Sequence, residues 1–436
     1  MANGLVANYQ LPGERGKLKT MATTAPRTAA RRNPVFMIVV LLTLAIFINA
    51  LDRGNFSTAA PLIKGELNLS NAQIGILISA FFWTYVPGHA LSGWLIERFD
   101  AYRTLAWALA LWALATFLTG FAGGFASLLV LRLLLGLGES AAFPCSSKLL
   151  AQLIPPHKLA SANAWTGVGL MMGNAMGIFL GGMLIAKLGW HALFFIFGGL
   201  SLLWLLPWLR AQRPQPVNMP LSEEPDNAPS YAEMLRNRDM WGAMLGHMCG
   251  NYSYYLVLLW LPLYLVKQQG FAITTMAWLG GLVYLIASIT ALIGARVTDA
   301  WVVRSGDVNR VRKTAVFIAG CIGITCMLLC ATGKPALAVA GLLGYGACTG
   351  IGVFSFYSIG QTLAGPSAAG KWVGLQNGCG GLAGAISPVV TGFTIDATGD
   401  YRIAFLTAAA IGLVGMACWG LVIRKVAPVA WSGSRQ

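Results

Sequence analysis

Charged side chains are scarce in this 436-residue chain: they make up 10% of it, against 56% hydrophobic residues, and the mean hydropathy is +0.66. That balance excludes an ordinary soluble domain and indicates a polytopic membrane protein. Acids are scarcer still, 15 against 30 Lys and Arg. The resulting charge of +15 would suggest nucleic acid in a soluble chain; here the basic residues follow a topological pattern instead. The eight cysteines lie nearly all inside apolar runs, without C-x-x-C or metal-ligand spacing, so a disulfide framework or a metal site is not expected, nor any cofactor. H-E-x-x-H and G-x-S-x-G are missing, and "GERGKLKT" has neither P-loop spacing nor a preceding strand, which argues against a membrane-embedded enzyme and an ATP-driven pump. Residues 1–33 are polar and basic with no apolar h-region, so no cleavable signal is expected.

What is present is a series of about twelve apolar runs, near residues 35–60, 72–96, 103–122, 125–152, 161–186, 190–208, 239–266, 275–300, 313–332, 334–362, 370–396 and 402–424. Each is long enough to cross a hydrocarbon core of about 30 Å as a helix. Arg27, Arg31 and Arg32 precede the first run, and breaks after even-numbered runs carry Arg98, Arg103, Lys158, Arg210, Arg236 and Arg312. Breaks after odd-numbered runs hold little beyond Lys64, Lys187, Lys267, Lys334 and Arg402. The positive-inside bias then places both termini in the cytoplasm.

The longest polar break, residues 209–238, is rich in Pro and charge and divides the runs six and six. The expected organisation is a cytoplasmic tail (1–33), a first six-helix bundle (34–208), a cytoplasmic linker (209–238), a second bundle (239–425) and a C-terminal tail (426–436). "GWLIERFDAYRTL" after run 2 and "GARVTDAWVVRSG" after run 8 support a weak repeat. So do Gly169, Gly173, Gly177 and Gly181 in run 5 with Gly370, Gly374 and Gly378 in run 11. Glycines four apart share a helix face and admit a neighbouring backbone, either as static packing or as a sliding surface. A parallel repeat of this kind places a substrate between the halves, near mid-membrane.

Asp52 and Arg53 lie deep in run 1, within "INALDRGNFS", and Arg132 and Glu139 in run 4, within "RLLLGLGESAAFP". Near the bilayer centre each charge costs roughly 2.5–3.5 kcal/mol, so four unpaired ones would cost on the order of 10 kcal/mol. Neighbours on a helix point about 100° apart, so Asp52 and Arg53 must seek partners elsewhere, whereas positions 132 and 139 share one face. A structural ion-pair network is one reading. The other gives Arg53 and Arg132 to a carboxylate or phosphate and makes Asp52 and Glu139 proton carriers. Burial favours a neutral carboxyl and a nearby arginine favours a charged one, so substrate capture of the arginine would promote protonation. Tyr85, Asn251, Tyr255, Gln361, Gln376 and Asn377 are further candidates to line a pocket, or to make interhelical contacts.

These stretches, with "SAFFWTYVPGHALSGWLIERFD" and "WLPLYL", resemble the major facilitator superfamily over nearly the whole chain, from about Pro34 to Lys425. Within it the resemblance is to the anion:cation symporters that include D-galactonate, hexuronate and glucarate transporters and sialin. It implies an all-α membrane protein of twelve transmembrane helices in two pseudo-symmetric six-helix bundles, with alternating access driven by protons. It also implies proton coupling at Asp52 and Glu139 and anion handling at Arg53 and Arg132. Gly93, Glu97, Arg98 and Arg103 look like the loop motif that latches the halves, with Glu97 for the usual aspartate and Asp100 for a common glycine. Ala50 stands for a frequent tyrosine, His89 for a glutamine and Gly381 for an asparagine.

The expected function is therefore proton-coupled symport of a small organic anion, such as an aldonate, uronate or aldarate, by a monomer in a bacterial inner membrane. An aromatic or other carboxylate, and a non-translocating sensor, remain as alternatives. Sodium is the alternative coupling ion, and His89 is either a further titrating group or a neutral helix-contact histidine.

Overall fold

A computed structural model of the chain describes residues 34–154, 156–211, 229–365 and 368–431. The described residues form helices and no strand: α1 Pro34–Glu66, α2 Asn71–Phe99, α3 Ala101–Thr119, α4 Phe125–Glu139, α5 Ala142–Leu153, α6 Pro156–Arg210, α7 Tyr231–Arg236, α8 Arg238–Leu263, α9 Ile273–Ser305, α10 Val308–Ala331, α11 Pro335–Ala364, α12 Ala369–Thr398 and α13 Arg402–Ala417. Short π-helical turns, Tyr264–Gln268 and Cys418–Val422, extend α8 and α13. Among the described residues nine helices are long and apolar enough to cross a membrane. The sequence led us to expect twelve runs. α2 and α8 have the length, 29 and 26 residues, but carry the histidines, asparagines and tyrosines of the site described below, which lowers their hydropathy. α6 holds two runs, with the backbone at Gly189 breaking from helical geometry at φ 79°, ψ 172°.

Local chemistry sets the remaining boundaries. Run 4 is broken between α4 and α5, one turn before Pro144, whose missing N–H leaves a backbone carbonyl unpaired. α2 opens on a capping box in which Ser70 Oγ accepts from the Gln73 amide at 3.0 Å and Gln73 Oε1 accepts from the Ser70 amide at 2.9 Å. The end of the polar break is not all irregular: α7 forms within it, capped by Ser230. α2 gives way to α3 at Asp100, which holds φ 84°, ψ 141°, a region glycine occupies without strain and other residues do not. Asp100→Gly is expected to stabilise the protein by about 1 kcal/mol, read as a higher melting temperature in detergent.

Three of the four run-5 glycines pack against α1 backbone. A Cβ on Gly169 would meet the Thr43 carbonyl at 2.6 Å, one on Gly177 the Leu51 carbonyl at 2.7 Å, and one on Gly173 the Phe47 carbonyl. The corresponding glycines of run 11 behave differently: Gly374 and Gly378 have nothing within 4 Å and face a cavity. Gly370 lies outside the described side chains. The shared spacing therefore serves close packing in one half and open space in the other, because α12 packs on its neighbours through Gly380, Gly384 and Gly392 instead.

Among the described residues, helices before and after the polar break meet chiefly through α2 with α12, α6 with α9 and α1 with α8. They interlock at the end where α1 finishes and α2 starts. A Cβ on Gly392 would meet the Asn71 carbonyl at 2.5 Å, and Ser79 Oγ donates to the Ala385 carbonyl at 2.6 Å. Asp396 caps α2 from across the interface, accepting from the Asn71 amide at 3.0 Å and the Ala72 amide at 2.6 Å, a favourable place for a carboxylate at a helix N-terminus.

Candidate functional site: a buried arginine at the floor of a central cavity

A cavity of about 920 Å³ lies between the helices before and after the polar break. It takes residues from the second half of α2, such as Tyr85 and His89, from α5, and from α8 between Gly246 and Leu258. The Asp396 end is shut by the contacts above, so the cavity belongs to the opposite end. Among the described residues lining it, Arg53 is the one Asp, Glu, Lys or Arg.

Arg53 sits on α1 with its side chain 15% exposed. Its Nε donates to Glu139 Oε2 at 3.2 Å, and its Nη2 to Asn49 Oδ1 at 3.0 Å and to Tyr85 OH at 2.5 Å. Among the described residues Nη1 has no protein partner. The guanidinium also lies 4.7 Å from the Tyr85 ring centroid, a cation–π contact. Glu139 is fully buried; its Oε2 also accepts from Asn49 Nδ2 at 3.1 Å, while its Oε1 has no partner. A single guanidinium thus holds a buried carboxylate at Nε and leaves Nη1 for the cavity. A ligand carboxylate can bind there, and takes Nη2 as well where it displaces Tyr85 or Asn49.

Asp52 points away from Arg53, as adjacent positions on a helix require. It is buried, accepts from Asn55 Nδ2 at 2.9 Å, and its Oδ2 is unpartnered. Among the described residues Arg132 pairs with no acid. Its Nε and Nη2 donate to the Leu77 and Ile78 carbonyls of α2 at 3.1 and 3.3 Å, and its guanidinium lies 4.8 Å from Phe56 and 5.2 Å from Phe81. Positions 132 and 139 do share a face, but α2 carbonyls and aromatic rings take one partner and α1 takes the other.

The remaining candidates divide. Tyr85, Asn251, Tyr255 and Asn377 line the cavity, and Arg132, Gln361, Gln376, Asp52 and Glu139 do not. Gln361 is exposed near the end of α11, and Gln376 is fully buried behind His247. Asn251 Nδ2 donates to the Gly380 carbonyl at 3.1 Å, and Asn377 Oδ1 accepts from Tyr357 OH at 2.9 Å. Arg98 and Arg103 are exposed; the side chains of Gly93 and Glu97 lie outside the described residues. His89 lines the cavity with its ring centroid 4.5 Å from that of Tyr85. Ala50, buried beside Gly173, places nothing in the cavity. Sequence reasoning missed Asn49 and His247. Both had a signal in helical spacing: Asn49 is one turn before Arg53, and His247 one turn before Asn251.

A chamber between two groups of long apolar helices, closed at one end and floored by a charged group, defines a membrane carrier. The chain belongs to the Major Facilitator Superfamily, whose family model matches residues 42–388; it is a multi-pass membrane transporter and not an enzyme. It is 31% identical to the "Ascorbate transporter, chloroplastic" of Arabidopsis thaliana over 88% of this chain and 74% of that one. It is 30% identical to the "Probable sulfoacetate transporter SauU" of Cupriavidus necator over 87% and 91%. With the "Probable galactarate/D-glucarate transporter GudP" of Escherichia coli it shares 25% identity over 94% and 98%.

Proposed function

We propose that this chain is a proton-coupled symporter of a small organic anion, a sugar acid, working by alternating access as a monomer in a bacterial inner membrane. The observation that carries this reading is the placement of Arg53, at once the one fixed charge among the described residues that line the cavity and the partner of buried Glu139. An incoming carboxylate binds at Nη1 and draws the guanidinium toward the cavity, away from Glu139. Glu139 is then left buried without its counter-charge and takes up a proton. Release of the anion returns Arg53 to Glu139 and expels the proton. Asp52, buried with one free oxygen, is the second proton carrier. Arg132 meets the anion only after the packing of Phe81 and α2 rearranges.

Relatives named for ascorbate, galactarate and sulfoacetate support an anion. The hydroxyls and amides of Tyr85, Tyr255, Asn251 and Asn377 along the cavity favour a polyhydroxy acid over a two-carbon one. For the topology, nine apolar helices plus one for the break at Gly189 plus α2 and α8 give twelve crossings, six before residues 209–238 and six after. With both termini cytoplasmic, the cavity opens inward and Asp396 closes the outside. The test is uptake of D-gluconate, galactarate, ascorbate and sulfoacetate into proteoliposomes with and without an inward proton gradient. Failure to accumulate any carboxylate sinks the reading.

Asp396 should then hold the inward-open state. Asp396→Asn removes a charge-assisted cap worth about 1.5–3 kcal/mol in favourable cases. Labelling of Ser79→Cys by an impermeant thiol reagent from outside, in a background lacking the eight native cysteines, should rise about tenfold. Unchanged labelling would show that Asp396 does not hold the outer end.

A further inference from the structure

We infer that His247 is a specificity-determining residue of the anion site, donating a hydrogen bond to the hydroxylated end of a substrate whose carboxylate is held at Arg53. The inference rests on the sugar-acid reading above and names the group that separates a polyhydroxy acid from an unsubstituted one.

His247 lies on α8, 6% exposed and on the cavity wall. Behind it, outside the cavity, the Gln376 amide nitrogen lies 3.3 Å from His247 Nδ1. An amide N–H at that distance makes Nδ1 the acceptor, so the ring proton sits on Nε2, and the imidazole faces the cavity as a donor. Gln376 is fully buried, and its Oε1 has no hydrogen-bond partner. A histidine needed only for packing does not require such a neighbour, because a buried unpaired carbonyl is destabilising. Fixing the tautomer of His247 accounts for it.

The ring is further confined. Tyr357 meets it edge-on with centroids 5.6 Å apart. α12 presses close at Gly380, where a Cβ would lie 3.4 Å from His247 Cδ2 and 2.9 Å from Asn251 Nδ2. A donor held on three sides cannot turn away from the cavity.

Its position along α8 sets which acids it can touch. Tyr255 meets Phe82 at 4.9 Å and Phe82 meets Tyr85, the partner of Arg53, at 6.3 Å between ring centroids, and His247 precedes Tyr255 by eight residues, about 12 Å along the helix axis. A two-carbon acid seated at Arg53 does not bridge that separation. An extended polyhydroxy acid carries hydroxyls toward it.

The experiment compares D-gluconate with hexanoate, which share a carboxylate and a six-carbon chain and differ in hydroxylation. Titration calorimetry on the purified full-length protein measures both dissociation constants for the wild type, His247→Ala, His247→Gln and Gln376→Leu. His247→Ala is expected to weaken D-gluconate at least tenfold and hexanoate less than twofold. His247→Gln, which keeps a donor near the Nε2 position, should recover to within about threefold of wild type. Gln376→Leu should fall between, again for D-gluconate alone. Equal weakening of both acids in His247→Ala, or none for D-gluconate, overturns the inference while leaving the anion site at Arg53 standing. A wild type that binds neither acid overturns that site, and the assignment of His247 with it.

Discussion

Arg53→Gln is expected to abolish anion uptake, lowering kcat/KM by at least a hundredfold, and to destabilise the protein as well. The two effects have different causes and can be separated. Glu139 is fully buried, and Arg53 is its ion-pair partner at 3.2 Å. Removing one member of a buried pair leaves an uncompensated charge and costs about 3–5 kcal/mol. Arg53→Gln with Glu139→Gln removes both charges, so the double variant should melt close to the wild type. It should still fail to transport, because no cation faces the cavity. Arg53→Lys is a sharper control: it keeps the charge but loses the planar guanidinium, whose separate nitrogens reach Glu139 on one side and the cavity on the other. Its uptake should stay below about a tenth of wild type. If the double variant recovers transport along with stability, Arg53 is a structural residue and the anion binds elsewhere.

Much of this site was legible in the sequence, and the missing part is of one physical kind. Hydropathy and the cost of charge in a bilayer singled out Asp52, Arg53, Arg132 and Glu139 without reference to tertiary structure. Helix geometry further required Asp52 and Arg53 to diverge, and they do. Which partners they found was beyond periodicity. Arg53 and Glu139 lie 86 positions apart, and Arg132 turns to α2 carbonyls and aromatic faces, acceptors that every helix offers, with its Nη1 buried and unpartnered. The same limit explains the glycines. Spacing of four predicts a smooth face, but whether a backbone or empty space lies opposite depends on the neighbour. It explains Gln361 too. One turn after cavity-lining Tyr357, it shares that helix face, yet it lies three residues from the end of α11, beyond the cavity wall. Asn49 and His247 were missed for a different reason. Each is a single polar side chain in an apolar stretch, a pattern that ordinary interhelical hydrogen bonding also produces. Only the residue one turn further on, Arg53 or Asn251, ties it to the cavity.

Glu139→Gln is expected to uncouple transport without stopping it. Glutamine nearly matches the shape of a protonated glutamate, and its carbonyl oxygen can still accept from Arg53 Nε and Asn49 Nδ2, which now bind Oε2 at 3.2 and 3.1 Å. The guanidinium then remains positioned yet is less tightly engaged, so a carboxylate should bind as well as before or better. What is lost is the group that must take up a proton when the anion takes its arginine. In proteoliposomes, substrate exchange at equal internal and external concentration should stay within about threefold of wild type. Accumulation under a proton gradient should vanish. One pH unit corresponds to about 1.4 kcal/mol per proton and supports about tenfold accumulation, so the concentration ratio should fall from about ten to one. Asp52→Asn is the matched comparison: Asp52 is buried like Glu139 but touches neither Arg53 nor the cavity wall. If it alone loses accumulation while Glu139→Gln still concentrates substrate, the coupling proton rides on Asp52, and the Arg53–Glu139 pair serves the anion alone.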